Sequence, residues 1–197
     1  MSELFALRRF VVTQTGRELS NRTGYSITSP GDGAVLATVV EVGASDVEKL
    51  VHPITSKQPS TDGQPDWLVK KFEVRVGDAL ALRITRVKRA KKTVIVSSPD
   101  DTELGRFEQQ NLVGKARIAL TTGGEMRETG FWLRRGLSSK PSSFPIIDGG
   151  NTLATIAATV LGNVHFDINR YDVDVVGQPN AMTLAAAIAL DQILFED

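Results

Sequence analysis

The stretch NAMTLAAAIALDQILFED (residues 180–197) closes the chain and differs from everything before it. Residues 181–190 contain a single hydroxyl, that of Thr183, and no charge. The pattern predicts a helix, and its large apolar residues are not confined to one stripe, so the helix needs burial on every side. At about 1.5 Å per residue it spans about 22 Å, which is too short for the roughly 30 Å core of a bilayer. We therefore expect it to fill the interior of a hollow fold.

The rest of the chain predicts antiparallel strands joined by turns. In the segment WLVKKFEVRVGDALALRITRVKR (67–89), Phe72, Val74 and Val76 face one way and the charged residues between them face the other. Because an eight-stranded barrel is filled by its own side chains, a barrel that encloses a helix needs about eleven or twelve strands. The sequence thus predicts one domain over residues 1–197, mainly β. In it, an antiparallel β-barrel of about twelve strands encloses the C-terminal helix.

Three related hairpins recur along the chain. SITSPGDGAVLATV (26–39) aligns without a gap with VIVSSPDDTELGRF (94–107), which places Ile27 on Ile95. FPIIDGGNTLATI (144–156) repeats the second half of the pattern. Asp and Gly tolerate the backbone angles of tight turns, and branched residues favour strands. We expect each copy to form a strand, a turn and a strand.

One short surface helix is predicted outside the barrel, near residues 45–52. Ser45 and Glu48 form a capping-box pattern, and Pro53 would end the helix. The proline-rich segment that follows predicts an exposed loop.

Composition and motifs argue against an enzyme. Lys+Arg and Asp+Glu number 23 each, so net charge alone points to no nucleic-acid or membrane partner, and the absence of cysteine excludes thiol chemistry and disulfides. The two histidines, His52 and His165, accompany no serine, metal or phosphate-binding motif. No secretory signal or membrane-spanning segment is evident. We expect a non-catalytic, cytoplasmic protein that is not transmembrane and needs no cofactor or metal.

The order of these motifs resembles a known family. The hairpin YSIxxPxDGxVLATV, its copy FPIIDGGNTLATI, then YDVDV and the terminal AAAIALDQIL resemble the phospholipid scramblase and LURP-one-related family over nearly the whole chain. The resemblance implies the tubby C-terminal fold, a β-barrel around a mostly apolar C-terminal helix. It also implies a surface that binds phosphoinositides through basic side chains. The lipid-transporting role of the eukaryotic scramblases is not expected here, because the chain has no cysteine to palmitoylate.

Calcium binding, which the resemblance also raises, is not expected either. Asp167, Asp172 and Asp174 lie near the place where scramblases carry their calcium segment. Asp172 and Asp174 share one face of an alternating strand, without the oxygen-rich loop that calcium needs for its six to eight ligands. The three aspartates predict a solvated acidic strand.

The candidate binding site is the basic segment RITRVKRAKK. Residues 79–99 contain no acidic residue. They lie within a wider basic region, residues 70–140, which holds 16 of the 23 lysines and arginines. An exposed basic hairpin attracts anionic lipid head groups. Nucleic acid is disfavoured, because no aromatic residue interrupts the basic run. The segment FWLRRG adds two arginines beside two aromatic residues. The predicted lipid- or anion-binding residues are Arg83, Arg86, Lys88, Arg89, Lys91, Lys92, Arg134 and Arg135.

Three functions remain open on these grounds. The first is a binding module recruited to an anionic membrane surface, or to phosphoinositide, through the basic hairpin. The second is a protein-interaction or structural module that docks a partner protein through exposed strands or the loop 53–65. The third is a fatty-acyl or small-molecule carrier with space beside Ala185, Ala186, Ala187 and Ala189. The basic segment also has a plain structural explanation, since charge keeps a hairpin soluble and prevents edge pairing.

Overall fold

The computed structural model describes residues 3–15, 23–42, 69–87, 91–111, 115–129, 142–161 and 168–194. These residues form twelve strands, a short 3₁₀ helix at Glu3–Ala6 and one α-helix, α1, at Ala181–Leu194. The strands are β1 (Arg9–Thr15), β2 (Gly24–Thr28), β3 (Val35–Val42), β4 (Val69–Val76), β5 (Ala79–Val87), β6 (Thr93–Ser97), β7 (Glu103–Gln109), β8 (Arg117–Leu120), β9 (Glu125–Arg127), β10 (Ser142–Asp148), β11 (Asn151–Leu161) and β12 (Ile168–Val175). The helix predicted near residues 45–52 and the loop 53–65 lie outside the described residues.

The strands close into a single barrel. Each strand pairs antiparallel with the next one in the chain, and β12 returns to pair with β1. Closure leaves none of these twelve described strands with a free edge. The predicted mainly β fold, a closed antiparallel barrel of twelve strands with a C-terminal helix, is confirmed.

Helix α1 fills the interior of this barrel. Residues 185–190 have 0% exposed surface. The inward-facing residues of the strands complete the core around them, in the alternating pattern typical of a sheet with one buried face. The helix is apolar on every side because a wall of strands surrounds it.

The helix lies closest to β6 and β7. At Gly105 on β7, a Cβ atom would lie 2.9 Å from the Met182 sulfur, so this glycine leaves room for the start of the helix. Farther round the barrel, large side chains fill the space. Tyr25 on β2 and Phe72 on β4 meet edge-on, with ring centroids 6.2 Å apart. The helix therefore packs closest to the wall on its β6–β7 side, where Gly105 leaves room for Met182.

The two ends of the barrel are built differently. At one end, which we call the turn end, the short segments 29–34, 77–78, 98–102, 121–124 and 149–150 connect the strands. At the other, which we call the loop end, the chain passes from β1 to β2, from β3 to β4, from β5 to β6 and so on round the barrel.

Helix α1 enters the barrel at the turn end and runs to the loop end. A reciprocal cap begins it. The Asn180 side-chain oxygen accepts a hydrogen bond from the Thr183 N–H at 3.0 Å, and the Thr183 hydroxyl accepts one from the Asn180 N–H at 3.0 Å. Two backbone donors that would otherwise lack partners at a helix start are satisfied in this way.

The three repeated hairpins are β2–β3, β6–β7 and β10–β11, which lie four strands apart around the barrel. The pairing register of each hairpin shifts near the turn end, as in a β-bulge. The residue that the shift leaves without a Cα partner is a leucine in every copy: Leu36, Leu104 and Leu153.

The ungapped alignment of the first two copies is wrong on its first strand. In the first copy Ile27 is the last residue before the register shift, and in the second copy Val96 is the last residue before it. Ile27 therefore corresponds to Val96 and not to Ile95. The reason is that the turn 98–102 has five residues, whereas the turn 29–34 has six.

Candidate functional site

The predicted basic segment divides between the two faces of the barrel wall. Arg83 points outward, and its guanidinium lies 2.6 Å from the Asp101 carboxylate. Arg86 points inward and is 3% exposed, because its position on β5 shares a face with the buried Leu82 and Ile84. Placing Arg86 on the binding surface was therefore wrong. Side chains of β5 alternate between the two faces of the sheet, and this alternation holds for its arginines as it does for its apolar residues.

The other predicted residues are only partly placed by the structure. Lys91 is exposed and Lys92 is partly buried, just before β6. The Lys92 backbone N–H donates a hydrogen bond to the Gln109 side-chain oxygen at 3.2 Å, which ties this connection to β7. The remaining four lie outside the described residues: Lys88, Arg89, Arg134 and Arg135.

Arginines on the outer wall of β4 to β9 are paired with carboxylates. The pairs are Arg75 with Glu73 at 2.6 Å, Arg106 with Glu103 at 2.7 Å, Arg117 with Glu125 at 2.7 Å and Arg127 with Glu125 at 2.6 Å. The hydrogen bond from Arg117, with a further one from Arg127, holds the pKa of the Glu125 carboxyl below its ordinary value. Glu125 in turn raises the pKa of Arg117. The pairs offset much of the basic charge that the sequence concentrates between residues 70 and 140.

Four lysines lie at the loop end of this side, of which Lys71, Lys91 and Lys115 are exposed and Lys92 is partly buried. Lys71 lies near the start of β4, Lys91 and Lys92 precede β6, and Lys115 precedes β8. In the described part of the chain, no carboxylate forms an ion pair with Lys71, Lys91 or Lys115. We call these four residues the lysine rim. Lys71 and Lys115 were not among the predicted site residues, because only the strand directions bring them to the same end as the β5–β6 connection.

Two carboxylates also lie toward this end and are engaged by other groups. A Glu108 oxygen lies 4.0 Å from the Arg106 guanidinium. Glu128 accepts a hydrogen bond from the Ala116 backbone N–H at 2.9 Å. Both glutamates are partly buried, whereas Lys71, Lys91 and Lys115 are exposed.

A buried polar cluster lies inside the barrel toward the loop end. The carboxyl of Asp191, a fully buried residue of α1, accepts hydrogen bonds from the Tyr25 hydroxyl at 2.5 Å, from the Asn169 amide at 2.7 Å and from the Tyr171 hydroxyl. The Gln192 amide donates to the Tyr25 oxygen at 2.6 Å. These bonds compensate for the burial of a carboxyl. We call these five residues the Asp191 cluster. Sequence reasoning missed it, although a carboxylate in an otherwise apolar helix was a visible signal.

Charged residues also face inward at the loop end. Glu41 accepts a hydrogen bond from the Thr23 N–H at 3.1 Å and lies 4.0 Å from the Lys70 ammonium. Lys70 stands opposite Arg86 in the register of β4 and β5. The last turn of α1 points toward this end, where its backbone carbonyls carry partial negative charge. The inner wall at the loop end therefore carries Lys70 and Arg86 together with the Glu41 carboxylate.

The outer wall of β1, β11 and β12 carries a groove of about 440 Å³, lined in part by Val11, Ala157 and Val176. Two of the aspartates considered for calcium border it, and each is paired with an arginine: Asp172 with Arg170 at 2.9 Å and Asp174 with Arg9 at 3.2 Å. Asp167 lies outside the described residues. Within the described ranges, no group of three or more His, Cys, Asp or Glu side chains could hold a metal ion.

Comparison with known proteins identifies no relative: no family model, curated protein or solved structure matches the chain. The resemblance to the scramblase and LURP-one-related family stays a prediction. Over the residues that the structure describes, no helix has both the length and the apolar character needed to cross a membrane.

Proposed function

We propose that the protein is a non-catalytic module that docks on anionic membrane surfaces through the lysine rim. The observation that carries this proposal is the contrast between two kinds of cation. Arginines of the outer wall are paired with carboxylates, whereas Lys71, Lys91 and Lys115 have no carboxylate partner among the described residues. A cation near an anionic membrane surface contributes about 1 kcal/mol, so Lys71, Lys91 and Lys115 together contribute about 3 kcal/mol.

The placement of the lysines favours a surface over a single small anion. The lysine rim extends from β4 to β8, which is four strand spacings or roughly 19 Å of barrel circumference. Cations spread over such a distance contact several head groups of a membrane at once. The predicted cations Lys88 and Arg89 belong to the same β5–β6 connection in the sequence and lie outside the described residues. The family resemblance supports phosphoinositide as the anionic lipid, and a peripheral location at a membrane forms part of the proposal.

Vesicle co-sedimentation tests the proposal. The wild-type protein should bind vesicles that contain phosphatidylserine or phosphoinositide, should ignore neutral vesicles, and should bind less as salt is raised. The variant Lys71→Ala/Lys91→Ala/Lys115→Ala should lose about a hundredfold in affinity, because it removes three contributions of about 1 kcal/mol each.

A matched control removes the same number of charges near the turn end. The variant Arg8→Ala/Arg9→Ala/Arg75→Ala should bind anionic vesicles within about twofold of wild type, because surface attraction falls off within a Debye length. Equal losses in the two variants would mean that total charge, and not the lysine rim, causes binding. Undiminished binding by the lysine variant would contradict the proposal directly. If no vesicle binds the wild-type protein, a partner protein becomes the better hypothesis.

A further inference from the structure

The surface of helix α1 does not by itself define how the helix sits in the barrel. Residues 184–190 are all leucine, isoleucine or alanine, and four of the seven are alanine. Hydrophobic burial is non-directional and follows the area removed from water. Such a helix, rotated about its axis or moved along it by one turn, would bury a similar apolar area.

Asp191 makes one rotation of the helix about its axis different from the others. Its barrel partners come from β2 (Tyr25) and from β12 (Asn169 and Tyr171), the two strands that flank β1. The closest packing of α1 is against β6 and β7, on the far side of the barrel. Hydrogen bonds are directional, so the cluster points one face of the helix toward a single arc of the wall.

The same bonds fix the depth of the helix. Tyr25, Asn169 and Tyr171 all lie toward the loop end of their strands. One helical turn is about 5.4 Å. A helix displaced by one turn toward the loop end would bring Ala187 near the place of Asp191, and alanine has no side-chain acceptor. Asp191 would then lose these three donors together.

We propose that the Asp191 cluster is a latch that selects one rotation and one depth of α1 inside the barrel. Buried polar groups are best attested as devices that specify a register, since apolar replacements often match them in stability. Gln192 fits this role. Its amide nitrogen is bonded to Tyr25, while its side-chain oxygen is buried and has no hydrogen-bond partner in the described structure. The bonds of Asp191 and Gln192 to the same tyrosine tie two neighbouring residues of α1 to β2.

Methyl NMR on protein with ¹³C-labelled alanine tests the latch. The fully buried methyl groups of residues 185, 186, 187 and 189 report the seating of the helix directly. Wild type should give one sharp signal for each. The variant Tyr25→Phe/Tyr171→Phe/Asp191→Leu removes the carboxyl together with two of its donors. It should stay folded and show a second set of helix signals, or exchange broadening, from a second seating populated at roughly 1–10%.

A matched control separates seating from loss of stability. Ile188→Val removes one methyl group from the same helix and leaves the latch intact, so it should keep a single set of signals. Tyr171→Phe alone keeps the other two donors and should broaden the helix signals less than the triple variant does.

Three results would overturn the latch. The first is one sharp set of signals from the triple variant. The second is equal broadening in Ile188→Val. The third is a triple variant that does not fold, because the cluster would then be required for folding itself and would not choose between folded seatings.

Discussion

Replacing Tyr25 by phenylalanine deletes one oxygen from the barrel interior and keeps the shape of the ring. That oxygen donates to Asp191 at 2.5 Å and accepts from the Gln192 amide at 2.6 Å. All three residues are fully buried. The substitution therefore removes a donor from a buried carboxyl and an acceptor from a buried amide in one step.

The size of the effect follows from the two groups left behind. A buried polar group that loses its partner costs about 1–3 kcal/mol. Asp191 keeps its hydrogen bonds from Tyr171 and Asn169, which moderates the loss. We expect the free energy of unfolding to fall by about 3 kcal/mol, a large part of the 5–15 kcal/mol typical of a domain. At about 2–4 °C per kcal/mol for a chain of this size, Tm falls by roughly 6–12 °C.

Urea unfolding, monitored by circular dichroism, measures this loss. If the slope of the unfolding free energy against urea concentration is the same in both proteins, the substitution has changed stability and not the surface exposed on unfolding. Thr38→Val, on the exposed face of β3, is the control, since it also deletes one hydroxyl and should stay within about 0.5 kcal/mol of wild type. If Tyr25→Phe also stayed within about 0.5 kcal/mol of wild type, the hydroxyl could not be the buried link between α1 and the barrel.

Three further changes test the packing, the cap and the electrostatics. Gly105→Ala places a methyl group 2.9 Å from both the Met182 sulfur and the Thr122 methyl and should lower stability in thermal melts by about 1–3 kcal/mol, and it should cost less when it is introduced into a Met182→Ala background; an equal cost in both backgrounds would mean that the contact with Met182 is not the cause. Asn180→Ala should cost about 1 kcal/mol in urea unfolding because the helix loses its cap, and Asn180→Ser should cost much less. The folded-state pKa of Glu125 is lowered from 4.5, so its contribution is present above that pH and is lost as pH falls through the lower folded-state value. In thermal melts, the Tm of wild type should therefore fall more steeply below about pH 4.5 than the Tm of Glu125→Gln does. Parallel plots of Tm against pH for the two proteins would contradict this role of Glu125.

The barrel could be predicted from two features of the sequence together, the apolar C-terminal helix and the number of predicted strands. A helix apolar on every side needs an enclosure, and about twelve strands provide one of the right size. The repeat alignment failed at one residue because turns tolerate a change of length that a strand does not. Ile95 and Val96 are both branched apolar residues, so side-chain type did not show which one faces the core.

The candidate site was less predictable, since its parts come from distant segments. Arg86 could have been placed inside the barrel from the alternation of β5. The pairing of Arg117 with Glu125 depends on the register of β8 and β9, which composition does not reveal. The Asp191 cluster joins β2, β12 and α1, and only closure of the barrel brings those elements together.

Native-state hydrogen exchange of the α1 amides tests most directly the claim that this helix is the core of a closed barrel. The amides of residues 185–190 should exchange only through global unfolding, with the same free energy that urea unfolding gives. These amides should be as slow as the slowest strand amides. Helix amides that exchange at a free energy well below the global value, while the strands stay protected, would show that α1 leaves the barrel without unfolding it, so the helix could not be the core of the barrel.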